Sequence, residues 1–219
     1  MANNPIFQVI SMGQLDYQEA WNIQVATANN VRTGEIPNTL ILLEHNHVYT
    51  KGRLSKDSDL LLTQQQFENL QIPVVETDRG GLITYHGPGQ LIAYPIINLR
   101  AWGGPLKYVR ALEEIIIATL TDFCIDATTI SGLTGVWVDN AKIAAIGVRI
   151  SQGVSTHGIS LNISTDLSYF ENIIPCGITG RQVTSMEALT QTQIEQPLVE
   201  QSFISNFAHI MELHLNNSD

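Results

Sequence analysis

Between Ile72 and Leu99 the chain passes through three extended segments, IPVVETD, GLITYHG and QLIAYPIINL, separated only by Arg79-Gly80 and Pro88-Gly89. Parallel neighbours in one sheet need a crossover of about a dozen residues or more, usually a helix, and these joints are far too short for one. Strands that follow one another in this way point to a mixed, mostly antiparallel sheet. Helical patterns lie on either side of it. LDYQEAWNIQVATANNVR reads as a helix with Asp16 as N-cap and Glu19 completing a capping box. TQQQFENL reads as a short helix opened by Thr63, and PLKYVRALEEIIIATLTDFC as an amphipathic helix with Pro105 in its first turn. NTLILLEHNHVYT is β-like, GVWVDNAKIAAIGVRI reads as a hairpin turning at Asp139-Asn140, STHGISLNI as a further strand, and PLVEQSFISNFAHIMELHL as a closing helix. The expectation is a single α+β domain over residues 1–219, a mixed sheet flanked by helices.

Composition narrows the function classes. At 219 residues with 44% hydrophobic residues the chain can bury one sizeable core. It has no apolar run near the roughly 20 residues that span a bilayer. The opening MANNPIFQVISMG carries no positive charge and no long apolar stretch, so neither a secretory signal nor a transit peptide is expected. Two cysteines make no disulfide framework, and a cytoplasmic location is the expectation. A formal charge of −10 argues against generic binding to nucleic acid or anionic membrane. All eleven Lys and Arg residues lie between Arg32 and Arg181, whereas residues 182–219 carry only acids. Lys51, Arg53, Lys56, Arg79, Arg149 and Arg181 are candidates for a local basic patch that meets an acidic partner.

The two cysteines have unlike surroundings. Cys124 ends an apolar helix and reads as a small buried hydrophobe. Cys176, in IIPCGITG, follows a proline that restrains the chain and precedes a glycine that admits other atoms. That setting suits a displayed nucleophile or an ordinary loop cysteine. A nucleophile must be a thiolate, so it needs a cation or a base nearby. Lys142, His86 and His157 are the candidates. Lys142 begins KIAAIGV, where apolar neighbours would make it a base for a thiol, though exposure beside the turn is the plainer alternative. His45 and His47 form an H-x-H pair with no Cys or acidic cluster at ligand spacing, so no metal site is expected. His209 and His214 read as surface residues of the tail. RGGLITYHGPGQ matches neither dinucleotide-binding nor P-loop glycine patterns and reads as a turn cluster or a narrow pocket wall.

Taken together, RGGLITYHGPGQLIAYPIINL, GVWVDNAKIAAIGVRI, THGISLNI and IIPCGITG, in that order, resemble the octanoyltransferases of lipoate biosynthesis, the lipoate-protein ligase B family. The resemblance spans about Leu15 to Leu189. It implies the fold of biotin and lipoate protein ligase catalytic domains. It implies transfer of an octanoyl group from octanoyl-acyl carrier protein to a specific lysine of lipoyl domains, those of 2-oxo acid dehydrogenase complexes and the glycine cleavage H protein. No metal or nucleotide cofactor is implied, because a thioester is already activated. The family's acyl-thioester cysteine falls on Cys176 and its thiolate-promoting lysine on Lys142. Its substrate wall falls on Arg79, Gly80, Gly81, Leu82, Ile83, Thr84, Tyr85 and His86, on Ala145, Ile146 and Gly147, and on Gly158, Ile159 and Ser160. His157 is a possible auxiliary, and the N–H of Gly177 a candidate oxyanion donor. An ATP-dependent ligase and a non-catalytic carrier-binding module are the competing readings.

Overall fold

The structure is a computed structural model that describes residues 5–174 and 182–216. The strands are β1 (Ile6–Leu15), β2 (Asn38–His45), β3 (Val48–Lys51), β4 (Val74–Glu76), β5 (Thr84–His86) and β6 (Gln90–Ile96), then β7 (Thr128–Ile130), β8 (Leu133–Val138), β9 (Ala141–Ser151), β10 (Val154–Asn162), β11 (Gln182–Val183) and β12 (His214–Leu215). The helices are α1 (Tyr17–Thr33), α2 (Gln64–Leu70), α3 (Pro105–Asp122), α4 (Met186–Thr190) and α5 (Gln196–Ile210). The main sheet runs β12-β1-β2-β6-β10-β9-β8-β7, with β11 added alongside β9, and a second sheet runs β4-β3-β5. From β2 to β7 every neighbour is antiparallel. Parallel pairing joins β1 to β2 and to β12, β3 to β4 and β11 to β9. The expected mixed, mostly antiparallel sheet flanked by helices is what forms.

Both faces of the central strands are covered, which explains why β2 and β6 read as unbroken apolar runs. Leu40 and Leu42 of β2 and Leu91 and Ala93 of β6 join Leu112, Ile116, Phe203 and Phe207 of α3 and α5. The alternate residues Ile41, Leu43, Ile92 and Tyr94 pack against Ala20, Ala28 and Val31 of α1. Each fully buried Leu, Ile or Phe contributes roughly 1.5–3 kcal/mol. The small sheet has its own core of Tyr49, Tyr85, Ile83, Phe67, Phe170 and Ile173.

Several sequence expectations are corrected. Asp16 is the N-cap of α1, but its side chain makes no capping bond; Asp16 and Glu19 act there as charges at the positive end of the helix. Thr63 and Gln66, in contrast, form a reciprocal capping box on α2. NTLILLEHNHVYT is two strands in different sheets, broken at Asn46-His47. The last helix stops at Ile210, and His214–Leu215 pairs with Ile6 and Phe7. Cys124 is exposed: it follows the end of α3 with φ 59°, which turns it out of the core the helix packs on. No helix among the described residues is long and apolar enough to cross a membrane.

Candidate active site

The β9–β10 hairpin forms the floor of the site. It sets Gly147 opposite Gly158 and Ala145 opposite Ser160. The segment from Arg79 lies against this floor, with Gly80 N–H donating to Val148 O at 3.0 Å. A Cβ on Gly147 would sit 2.9 Å from Gly80 O, and one on Gly158 would run into Ala93 O, so both positions require glycine. A cavity of about 260 Å³ lies between the two layers. Of the predicted wall, Arg79, Gly81, Leu82, Ile83, Thr84 and His86 line it, with Ala145, Ile146, Gly147, Gly158, Ile159 and Ser160.

Two predicted wall residues do not line the cavity. Gly80 is spent on its contact with Val148, and Tyr85 points the other way, as alternation along β5 demands. Its hydroxyl lies 2.7 Å from His47 Nδ1, and its ring stacks on Tyr169 at 4.8 Å. Arg79 is only 7% exposed and donates to Thr50 O, Thr50 Oγ1 and Gly80 O, so it is a wall residue and not part of a surface patch. Lys51 is tied to Asp57 and Glu76. Arg149 pairs with Asp78.

Lys142 is 8% exposed and lines the cavity, which corrects the plainer alternative of an exposed turn lysine. Its Nζ lies 4.9 Å from the Trp137 ring centre. A Cβ on Gly135 would come within 3.0 Å of Lys142 Cε, so this glycine makes the room the side chain occupies. Gly135 N–H donates to Glu113 Oε1 at 3.1 Å, anchoring β8 to α3. On the other side β11 pairs Val183 with Lys142 and Gln182 with Ala141, and Thr184 N–H donates to Lys142 O at 2.9 Å. Cys176, Gly177 and Arg181 lie outside the described residues.

Three neutral histidines sit around the cavity. His157 is 1% exposed with φ 55°, a conformation L residues rarely take, and its N–H donates to Gln24 Oε1 at 2.7 Å. Its Nε2–H donates to Asp78 Oδ1 at 2.7 Å, which leaves Nδ1 to accept from the Tyr17 hydroxyl at 3.4 Å. Burial, then the charges of Arg79 and Arg149, push His157 down to about 3. His45 Nδ1–H donates to Leu15 O at 2.9 Å, and its Nε2 accepts from the Tyr94 hydroxyl at 2.7 Å; burial pushes it down to about 4. Burial first, then His45, holds His86 well below the usual histidine range. The same burial raises Tyr17 to about 12. His45 and His47 are thus hydrogen-bonded to tyrosines in separate layers. His209 and His214 are exposed, the latter on β12.

Residues 16–208 match the family model of the lipoyl protein ligase A/B catalytic domain. The chain is 47% identical over 206 residues to an octanoyltransferase of Solibacter usitatus, covering 93% of this chain and 92% of that one. It is 42% identical over 209 residues to one of Koribacter versatilis, covering 90% and 83%. The chain belongs to the octanoyltransferase family. Among solved structures it is similar to lipoate-protein ligase A bound with ATP, with a TM-score of 0.74 at 13% identity, covering 97% of this chain and 87% of that one. A biotin protein ligase of Aquifex aeolicus in complex with biotin and ATP aligns with a TM-score of 0.58 at 12% identity, covering 97% and 71%. These two likenesses establish the fold. Octanoyltransferases are acyltransferases, and this chain is an enzyme of that class.

Sequence reasoning misses several residues that the fold brings to the cavity. Tyr17, Leu54, Tyr94, Leu133, Thr134 and Trp137 line it from four separate parts of the chain. The alternation of QLIAYPI puts Tyr94 on the same face as Ile92, a signal that was available. Nothing in the sequence places Tyr17 of α1 next to His157, 140 residues on. Among the described residues no group of three or more His, Cys, Asp or Glu is arranged to hold a metal ion.

Proposed function

We propose that this chain moves an octanoyl group from octanoyl-acyl carrier protein to a specific lysine of lipoyl domains, through an acyl thioester on Cys176. The acceptors are the lipoyl domains of 2-oxo acid dehydrogenase complexes and the glycine cleavage H protein. One observation carries the reading. Gln182, six positions after Cys176, is registered beside Ala141, and Lys142 next to it lines the cavity. Six positions after the cysteine the chain is thus paired with the strand bearing the lysine.

The chemistry is nucleophilic catalysis at a thioester. Lys142 takes the thiol proton, and the sulfur attacks the carrier's thioester carbonyl. The C–S bond to the carrier breaks, and that thiolate leaves with a proton from Lys142. In the second half the acceptor amine attacks the acyl-enzyme: a C–N bond forms, the C–S bond to Cys176 breaks, and the amine proton returns to the sulfur. N–H groups at Cys176 and Gly177 are proposed to steady the oxyanion of each step. Neither metal nor nucleotide enters this scheme, because the acyl group arrives activated. Small residues in the wall leave space for an acyl chain, and each buried methylene is worth about 0.8 kcal/mol.

Intact mass spectrometry tests the scheme. Mixed with octanoyl-carrier and no acceptor, the enzyme should gain one octanoyl group, and Cys176→Ser should not. An unmodified wild-type mass, or full transfer activity in Cys176→Ser, rejects it.

A further inference from the structure

A buried chain of hydrogen bonds links the cavity wall to the strand beside Lys142. Asn162 Nδ2–H donates to Thr184 O at 2.9 Å. Gln90 Nε2–H donates to Asn162 Oδ1 at 2.9 Å and to Tyr85 O at 3.3 Å, and Gln90 Oε1 lies 2.8 Å from His86 Nδ1. The chain can be read in only one direction. Thr184 O and Tyr85 O are main-chain carbonyls, which only accept. They turn the nitrogen of each amide towards themselves, so an oxygen faces His86. Its Nδ1 must therefore carry the hydrogen, and the neutral ring keeps its lone pair on Nε2.

His86 lines the cavity, and among the described residues nothing hydrogen-bonds Nε2. His157 differs, since Asp78 and Tyr17 occupy both of its nitrogens. Burial and the flanking His45, Arg79 and His157 keep His86 neutral, so the lone pair stands ready without becoming an acid. An N–H entering this wall loses its bonds to water, and leaving it unmet costs more than a made bond returns.

We propose that His86 Nε2 is a standing hydrogen-bond acceptor for a substrate N–H close to the reacting carbonyl, and that Gln90 and Asn162 are positioning residues that hold the ring in this tautomer. The proposal rests on the acyl-enzyme scheme above. Two N–H donors pass the reacting carbon there: the amine of the acceptor lysine, and the amide of the donor's pantetheine arm. His86 orients the donor and takes no proton from it.

The test follows the two half-reactions separately by intact mass, octanoyl-carrier to enzyme and octanoyl-enzyme to a lipoyl domain, in wild type and His86→Ala. One half-reaction should slow about tenfold while the other stays within about twofold, the factor expected for one neutral hydrogen bond. Slowing of the first identifies the pantetheine amide, and slowing of the second the lysine amine. Both unchanged, or both slowed alike, overturns the proposal. Independently, ¹⁵N spectra of the wild-type protein should show His86 with Nδ1 protonated and Nε2 bare, and Gln90→Leu should lose that preference. A protonated Nε2 in wild type overturns the proposal even if His86→Ala does not fold. If wild type takes up no octanoyl group, the acyl-enzyme scheme is what fails, and the spectra still decide the tautomer.

Discussion

The amine of Lys142 lies 4.9 Å from the centre of the Trp137 ring, and the pairing of β8 with β9 sets the two residues directly opposite each other. A cation over an indole face gains about 0.5–2 kcal/mol, more as water is excluded. Trp137 is itself buried. Trp137→Leu removes the face and should reduce octanoyl transfer about fivefold or more, with Trp137→Phe falling between it and wild type. Equal rates for all three at matched folded fraction would show that the ring only fills space.

Lys142→Ala tests the role proposed for the amine. The rate of Cys176 alkylation should follow a pH profile displaced upward in the variant, because in the proposed scheme the thiolate loses its base and cation. An unmoved profile would assign Lys142 some other task. Cys124 is exposed and alkylates as well, so the measurement is made in a Cys124→Ser background.

The glycines of the floor give a stability prediction. A methyl on Gly158 meets the Ala93 carbonyl, which belongs to the adjacent central strand and cannot retreat. Gly158→Ala should cost about 3 kcal/mol, the upper part of the range for overpacking, read as a lower urea midpoint at constant slope. At Gly147 the overlap is milder, with Gly80 O 2.9 Å from the added Cβ. Gly147→Ala should therefore unfold nearer to wild type while losing transfer activity.

Buried neutral histidines give the protein a pH dependence of known sign. His45 is held near 4 in the folded protein and titrates near 6.5 when unfolded, so below about 6.5 the unfolded state binds more protons. Its contribution is fully present above 6.5 and falls by roughly 3 kcal/mol by pH 4. His157 acts in the same sense down to about 3. Thermal melts between pH 7 and 4 should show a falling Tm, with a shallower decline in His45→Gln. A flat Tm over that range contradicts the neutral cluster.

Arg53 and Lys56 are exposed on the loop that carries Leu54, a cavity-lining residue with 68% of its surface open. For the acidic carrier proposed above as donor, they would offer a local attraction at the cavity rim of a chain of charge −10. Exposed charges are screened beyond about 8 Å at physiological salt, so KM for the carrier should rise with ionic strength. Arg53→Ala with Lys56→Ala should raise KM at low salt and remove most of that dependence. A KM indifferent to salt would remove these residues from docking.

Much of the fold was legible because it is written between near neighbours. No helix crosses between Ile72 and Leu99, although β4 and β5 each pair with β3 rather than with each other and β6 lies in the main sheet, and the Asp139-Asn140 turn appears as expected between β8 and β9. The branched, apolar composition of β2 and β6 marks them as strands but does not say which helices cover their faces. Strand β1 carries no clear strand signal: its alternation IFQVISMGQL is irregular, and all of it but Phe7 is exposed or half-buried. Cys124 was misjudged because its own left-handed backbone, and not its apolar neighbours, decides where it points.

By itself the sequence determined the local conformations, the glycine wall and the residue types able to carry acyl transfer, since propensity, turn chemistry and side-chain period act over a few positions. The tertiary structure decided which of them meet. Tyr17 reaching His157, Asn162 reaching Thr184, and Trp137 lying across from Lys142 all depend on strand register and on closing loops between distant segments. That closure is a property of the whole packed chain, and it turns a set of water-excluded side chains into one site.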